Sequence, residues 1–104
     1  MKNKVAIVRT VGGEYFIGTV DNDCDTNITL RDTRVIMSQM TPNGVGTFAA
    51  PIVPFAIKSP EHITINKNFI ICIVEEDNIV KDLLNGYKSQ ITGIACATTP
   101  DIIC

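Results

Sequence analysis

The stretch ITINKNFIICIV, residues 63–74, predicts a short strand, a tight turn and a second strand. In residues 63–65 two isoleucines alternate with a threonine, which is typical of a strand with one apolar face. Residues 66–68, Asn-Lys-Asn, form the turn, because asparagine tolerates left-handed backbone angles and bonds its own main chain. The second strand is then predicted at 69–74.

This second strand is apolar on both of its faces. One face carries Phe69, Ile71 and Ile73, and the other carries Ile70, Cys72 and Val74. A strand at the margin of a small sheet normally leaves one polar face to water. Since a chain this short has few residues with which to cover both faces, we predict that a second copy of the protein covers the face of Phe69, Ile71 and Ile73.

Composition and charge describe one globular domain and exclude some functions. The chain has 104 residues, of which 45% are hydrophobic and 19% are charged. Its net charge of −2 argues against avid, sequence-blind binding to nucleic acid, which relies on many lysines and arginines. No apolar run approaches the ~20 residues that span a bilayer, so we expect no membrane partner. The first residues show no secretory signal, so we expect a cytoplasmic protein with free thiols.

The sequence gives little evidence for a metal site or for thiol catalysis. The four cysteines form no C-x-x-C pair and the chain has one histidine, so zinc ligation is not predicted. His62 beside Pro60 and Glu61 is typical of a solvent-facing turn rather than of thiol catalysis. The aspartates at 21, 23, 25 and 32 are spaced as in a calcium loop, but Thr26 stands where that loop requires glycine. We therefore expect no metal, no cofactor and no enzymatic activity.

The remaining pattern predicts a mainly β fold. Strands are predicted at 4–11, 14–20 and 28–40, with a loop at 41–50. Gly18 interrupts the second strand and predicts a bulge or a sharp bend there. Prolines in 49–57 predict an edge or non-ladder segment, because proline cannot donate to a ladder.

A period of 3.6 residues then predicts a helix at 77–90. Its apolar face carries Ile79, Val80, Leu83, Leu84 and Tyr87. The predicted fold class is all-β in the main: a small, five-stranded, strongly bent antiparallel barrel at about 4–75 with a C-terminal helix. One domain at 1–94 and a tail at 95–104 complete the predicted organisation.

Two segments resemble the motifs of a known family. Gly13 and Gly18-Thr19-Val20, followed by DTNITL at 25–30, are similar to the first Sm motif. INKNFI at 65–70, with Ile73, is similar to the second Sm motif in the variant of the bacterial Hfq branch, where a lysine follows the strand. The chain thus resembles the Sm-like (LSm/Hfq-type) family, and its overall look is similar to phage-type members.

The resemblance implies an assembly and a function. It implies a homo-oligomeric ring of about five to seven copies, in which the fourth strand of one subunit pairs with the fifth strand of its neighbour. It also implies binding of short single-stranded RNA at the inner rim of the ring, in RNA metabolism or regulation. The matching positions are Asp25, Thr26, Asn27, Asn66, Lys67 and Asn68.

Two alternatives stay open at these positions. The family's base-stacking residue just before Asn27 is replaced by Asp25 and Thr26. Each asparagine can instead serve its own turn, and Lys67 can be a solvated turn lysine that discourages strand-edge aggregation. The alternative function is then a structural ring, a scaffold that binds no RNA.

Overall fold

In the part of the chain that the structure describes, six antiparallel strands form one sheet, and a helix follows the last of them. The computed structural model describes residues 2–52, 60 and 62–92. The strands are β1 (Val5–Thr10), β2 (Tyr15–Asp23), β3 (Asn27–Thr41), β4 (Gly44–Pro51), β5 (His62–Asn66) and β6 (Ile70–Glu75). The helix is α1 (Lys81–Thr92), and 3₁₀ turns lie at Lys67–Phe69 and Glu76–Asn78. The predicted class, a mainly antiparallel β fold with one C-terminal helix, is confirmed.

The strand order requires the sheet to curl strongly. It runs β4-β3-β2-β1-β6, and β5 pairs with β3 on the segment of β3 that precedes its pairing with β4. β5 shares the outer edge of β3 with β4 at one end of this order, and β6 lies at the other end, yet a turn of three residues joins β5 to β6. The two ends of the sheet must therefore lie close together, as predicted for a strongly bent sheet.

The sheet bends where Gly18 faces an extra residue of β3. Ile17 pairs with Arg34 and Thr19 with Arg31, so β3 holds one residue more than β2 across this step. Asp32 in the extra position has a φ of 53°. A Cβ on Gly18 would come within 3.0 Å of the Leu30 Cβ, so the close approach of the strands requires glycine. The predicted bulge is confirmed.

Two apolar clusters lie on opposite faces of β1, which explains its unbroken run of apolar residues. On the helix side the buried residues are Val5, Ile17, Ile79, Leu84 and Tyr87. On the other side they are Ala6, Val8, Val20, Ile28 and Leu30. Each cluster holds residues from several strands, so β1 is covered on both faces by its own chain.

The helix begins later than predicted, and part of its predicted face is wrong. The chain forms a 3₁₀ turn at Glu76–Asn78, in which the Ile79 N–H donates to the Glu76 carbonyl oxygen, and the Glu76 carboxylate accepts a hydrogen bond from the Val5 N–H at 2.8 Å. Ile79 is extended and buried, and α1 starts two residues further on. Val80 is 70% exposed, so it does not belong to the buried face.

The loop predicted at 41–50 is also wrong. Thr41 pairs with Gly44, so Pro42 and Asn43 form a two-residue hairpin turn, with a φ of 119° at Gly44. β4 then pairs along β3 as far as Pro51, at the edge of the sheet. The edge position predicted for 49–57 is confirmed over its first residues, while 53–59 and the predicted tail at 95–104 lie outside the described residues.

The faces of β6 differ from simple alternation. Thr10 pairs with Ile70 and Arg9 with Cys72, so Ile71 is an extra residue that forms a bulge. The bulge brings Ile70 to the same cluster as Ile73, while Val74 packs on the helix side. The premise that the chain cannot cover both faces of this strand is therefore wrong for these three residues.

Candidate nucleic-acid interface

The two segments that resemble the Sm motifs meet at one edge of the molecule. Asn27 at the start of β3 pairs with Asn66 at the end of β5. The N–H of Lys67 donates to the Thr26 carbonyl oxygen at 2.9 Å. We call residues 25–27 and 66–68 together the loop–turn rim. The structure thus brings together the positions for which RNA binding was predicted, although they are far apart in the chain.

Several polar groups of the loop–turn rim form hydrogen bonds with one another. The Asn66 side-chain oxygen accepts a hydrogen bond from the Asn68 N–H at 2.8 Å, so Asn66 caps the turn. The Asn27 amide donates to the Thr26 hydroxyl at 3.3 Å. Asn68 is exposed, and among the described residues its side-chain amide has no hydrogen-bond partner. Of the three asparagines, Asn68 is therefore the one whose side-chain amide makes no hydrogen bond among the described residues.

Lys67 is held by an ion pair that the sequence did not indicate. Its Nζ lies 2.6 Å from Asp23 Oδ1, and both side chains are about two-thirds buried, with exposures of 33% and 27%. Asp23 is the last residue of β2, so the pair depends on how the strand ends come together. Its carboxylate offsets the positive field that an unpaired Lys67 would project.

Cys24 is a second rim neighbour that the sequence did not single out. Its thiol donates to the Asn27 carbonyl oxygen at 3.4 Å and lies 3.4 Å from the Asn27 side-chain oxygen. Hydrogen bonds with the backbone at Thr26, then at Asn27, lower the pKa of the exposed Cys24 thiol below its ordinary value. The thiol therefore helps to fix the orientation of Asn27.

The aspartates of the calcium-like spacing are used in separate contacts. Asp21 lies 3.4 Å from Arg31 and 3.3 Å from His62, whereas Asp23 pairs with Lys67. Within residues 2–52, 60 and 62–92 no three carboxylate, thiol or imidazole groups gather closely enough to hold a metal ion. His62 contacts a carboxylate and no thiol among its described ion pairs and hydrogen bonds.

The residues predicted for a subunit interface fall into two groups. Phe69 and Ile71 are 58% and 56% exposed, whereas Ile73 is half-buried against the chain's own core. The Phe69 carbonyl oxygen accepts from the Val11 N–H at 2.9 Å, which ties the turn to β1. Two large apolar side chains therefore face solvent next to the edge of β6.

No protein-family model matches this chain, and no curated protein matches it significantly. None of the helices among the described residues is long and apolar enough to cross a membrane.

Proposed function

We propose that this protein is an Sm-like, ring-forming protein that binds short single-stranded RNA at the loop–turn rim, without catalysis. The observation that carries the proposal is the pairing of Asn27 with Asn66, because it joins the two motif-like segments at one edge. The order of the strands β6-β1-β2-β3-β5 also agrees with the bent sheet that the resemblance implies. In this comparison β5 and β6 take the places of the family's fourth and fifth strands.

Two strand edges support assembly into a ring. Among the described strands, β5 pairs with β3 alone and β6 with β1 alone, so each has one unpaired edge. An unpaired edge is a template for another chain. In the proposed ring the β6 edge of one subunit pairs with the β5 edge of the next, and the exposed Phe69 and Ile71 are buried there.

A charge placed in this seam tests the assembly. Ile71→Glu should dissociate the ring, because a buried carboxylate without a partner is strongly unfavourable. Val80→Glu is the matched control, because Val80 is 70% exposed and lies outside β6, just before α1. Size-exclusion chromatography with light scattering measures the mass of each variant. Equal masses for both variants and the wild type would reject β6 as the seam.

RNA binding at the rim would use an amide and a lysine. The exposed Asn68 amide can donate and accept, which suits the edge of an unpaired base. Lys67 reaches a phosphate only by exchanging the Asp23 carboxylate for it. None of residues 25–27 and 66–68 is aromatic, so the rim has no ring that could stack on a base. We therefore expect weak binding per subunit and useful affinity from several subunits on one strand.

Titration of oligo-U and oligo-A at low salt tests RNA binding through Lys67. Lys67→Ala should weaken the binding of all sequences and reduce the salt dependence by about one ion per contact. Asp23→Asn should strengthen binding, because it releases Lys67 from its carboxylate. Lys81→Ala in the exposed first turn of α1 is the control for the loss of a positive charge. Binding no tighter than about millimolar for both oligonucleotides would reject RNA binding.

A scaffold ring is the second candidate, and the Lys67–Asp23 pair favours it. In a scaffold the lysine and Asn66 serve the local structure, as their contacts at 2.6 Å and 2.8 Å allow. If the protein is a scaffold ring, Asp23→Asn and Lys67→Ala should both lower the melting temperature, and neither variant should bind RNA. Opposite effects of these two variants on RNA affinity would instead support the first candidate.

A further inference from the structure

A groove lies on the helix side of the curled sheet, apart from the loop–turn rim. Its apolar floor is formed by Ile7, Ile36, Val74 and Leu83, which come from β1, β3, β6 and α1. Its volume of about 410 Å³ is within the range of small-molecule sites. Because four elements contribute to the floor, the groove is part of the folded framework rather than a gap in one loop.

One positive charge faces this apolar floor. Arg9 lines the groove, and its guanidinium lies over the Tyr15 ring, 5.2 Å from the ring centroid. The stacking restricts the orientation of the guanidinium. Among the residues that the structure describes, none that lines the groove is a carboxylate, and no ion pair includes Arg9. The charge is therefore available to a ligand.

Two hydroxyl groups line the same groove as Arg9. Ser38 and Thr47 pair with each other on the hairpin formed by β3 and β4, and both line the groove. No hydrogen bond among the described residues uses either hydroxyl. An apolar pocket with a few converging polar groups is the usual form of a small-ligand site, in which the polar groups fix the ligand's orientation.

We propose that this groove binds a small organic monocarboxylate with an aliphatic body. The carboxylate pairs with Arg9, whose planar guanidinium matches it in a two-point contact. The aliphatic body lies on the floor between Leu83 and Ile36. A single cation and an apolar floor match one negative charge on an apolar body, and this site depends neither on the ring nor on RNA.

Decanoate and decanol form a matched pair of probes for the full-length protein. They share the aliphatic chain and differ in charge, so calorimetric titration of both isolates the contribution of Arg9. We expect decanoate to bind about tenfold more tightly than decanol. Equal affinity for the two would overturn the proposal, because the site would then be an unspecific apolar surface.

Cys72 reports on occupancy, because it is exposed and lines the groove. Decanoate should slow its alkylation by a thiol reagent, measured by peptide mass spectrometry, and leave the exposed Cys24 unchanged as the internal reference. No protection of Cys72 would overturn the proposal. A Cys72 that does not react even without decanoate would overturn it too, because another segment or a second copy would then cover the groove.

Three variants complete the test. Arg9→Gln should weaken decanoate about tenfold and leave decanol unchanged. Thr47→Trp fills the groove and should abolish binding of both probes. Gln39→Trp places the same side chain on an exposed position of the hairpin that does not line the groove, so it should bind both probes as the wild type does. Unchanged decanoate binding in Arg9→Gln or Thr47→Trp would contradict the proposed site.

Discussion

Replacing Tyr87 by phenylalanine tests how α1 is fixed to the bend of the sheet. Tyr87 is fully buried, and its hydroxyl lies 3.1 Å from the Thr19 hydroxyl and 3.4 Å from the Arg31 carbonyl oxygen. Phenylalanine keeps the packing of the ring but leaves the Thr19 hydroxyl, 6% exposed as a residue, without this partner. A buried group that loses its partner costs about 1–3 kcal/mol, so we expect the free energy of unfolding to fall by about 2 kcal/mol.

Urea unfolding measures this change. With a slope of about 2 kcal/mol/M, the midpoint should shift down by about 1 M. Tyr15→Phe is the control, because Tyr15 is 40% exposed and its hydroxyl makes no hydrogen bond among the described residues. All samples must share one protein concentration, since the proposed assembly would make stability depend on it. Coincident curves for Tyr87→Phe and Tyr15→Phe would refute the assignment of this hydrogen bond.

The other predictions concern packing and pH. Leu84→Ala should lower the free energy of unfolding by about 2–5 kcal/mol, because Leu84 is buried. Leu83→Ala should lower it by less, because Leu83 is half-buried. Equal losses for the two variants in urea unfolding would contradict this difference. Gly18→Ala should cost about 1–3 kcal/mol in the same assay, since its Cβ would meet the facing strand at 3.0 Å. The hydrogen bond from the Val5 N–H lowers the pKa of the Glu76 carboxyl, so Glu76 stabilises the fold above its unfolded-state pKa and this stabilisation is lost as the pH falls. Glu76→Gln should therefore reduce the drop in melting temperature on acidification. A pH profile of the melting temperature that the variant leaves unchanged would contradict this role of Glu76. Burial raises the pKa of the Tyr87 hydroxyl, so the neutral side chain stabilises the fold at neutral pH, and this stabilisation is lost as the pH rises through the folded-state pKa. Tyr87→Phe should remove this loss of melting temperature at alkaline pH. An alkaline melting profile that the variant leaves unchanged would exclude this effect.

Much of the fold could be predicted from local patterns. The apolar runs of β1 and β2 and the position of Gly18 predicted strands and a bend that the structure contains. β4 escaped prediction because its sequence, GVGTFAAP, has low intrinsic strand propensity, and pairing with β3 overrides that propensity. Asn43-Gly44 was the signal that could have revealed the hairpin.

The candidate site could be predicted in position but not in its contacts. Motif resemblance identified Asn27, Asn66 and Lys67, and these residues are neighbours in the structure. The pairing of Lys67 with Asp23 could not be predicted, because it depends on the register of β3 with β5 and on where β2 ends. The bulge at Ile71 was equally hidden, since alternation along one strand does not reveal an extra residue relative to its partner.

Native mass spectrometry of the wild-type protein, alone and with oligo-U or oligo-A, tests the proposed ring and the proposed RNA binding most directly. The proposed function predicts a single closed assembly of about five to seven copies that gains the mass of one oligonucleotide at low salt. An assembly that gains no oligonucleotide would reject RNA binding and favour the scaffold ring. A stable monomer at micromolar concentration would contradict the ring itself.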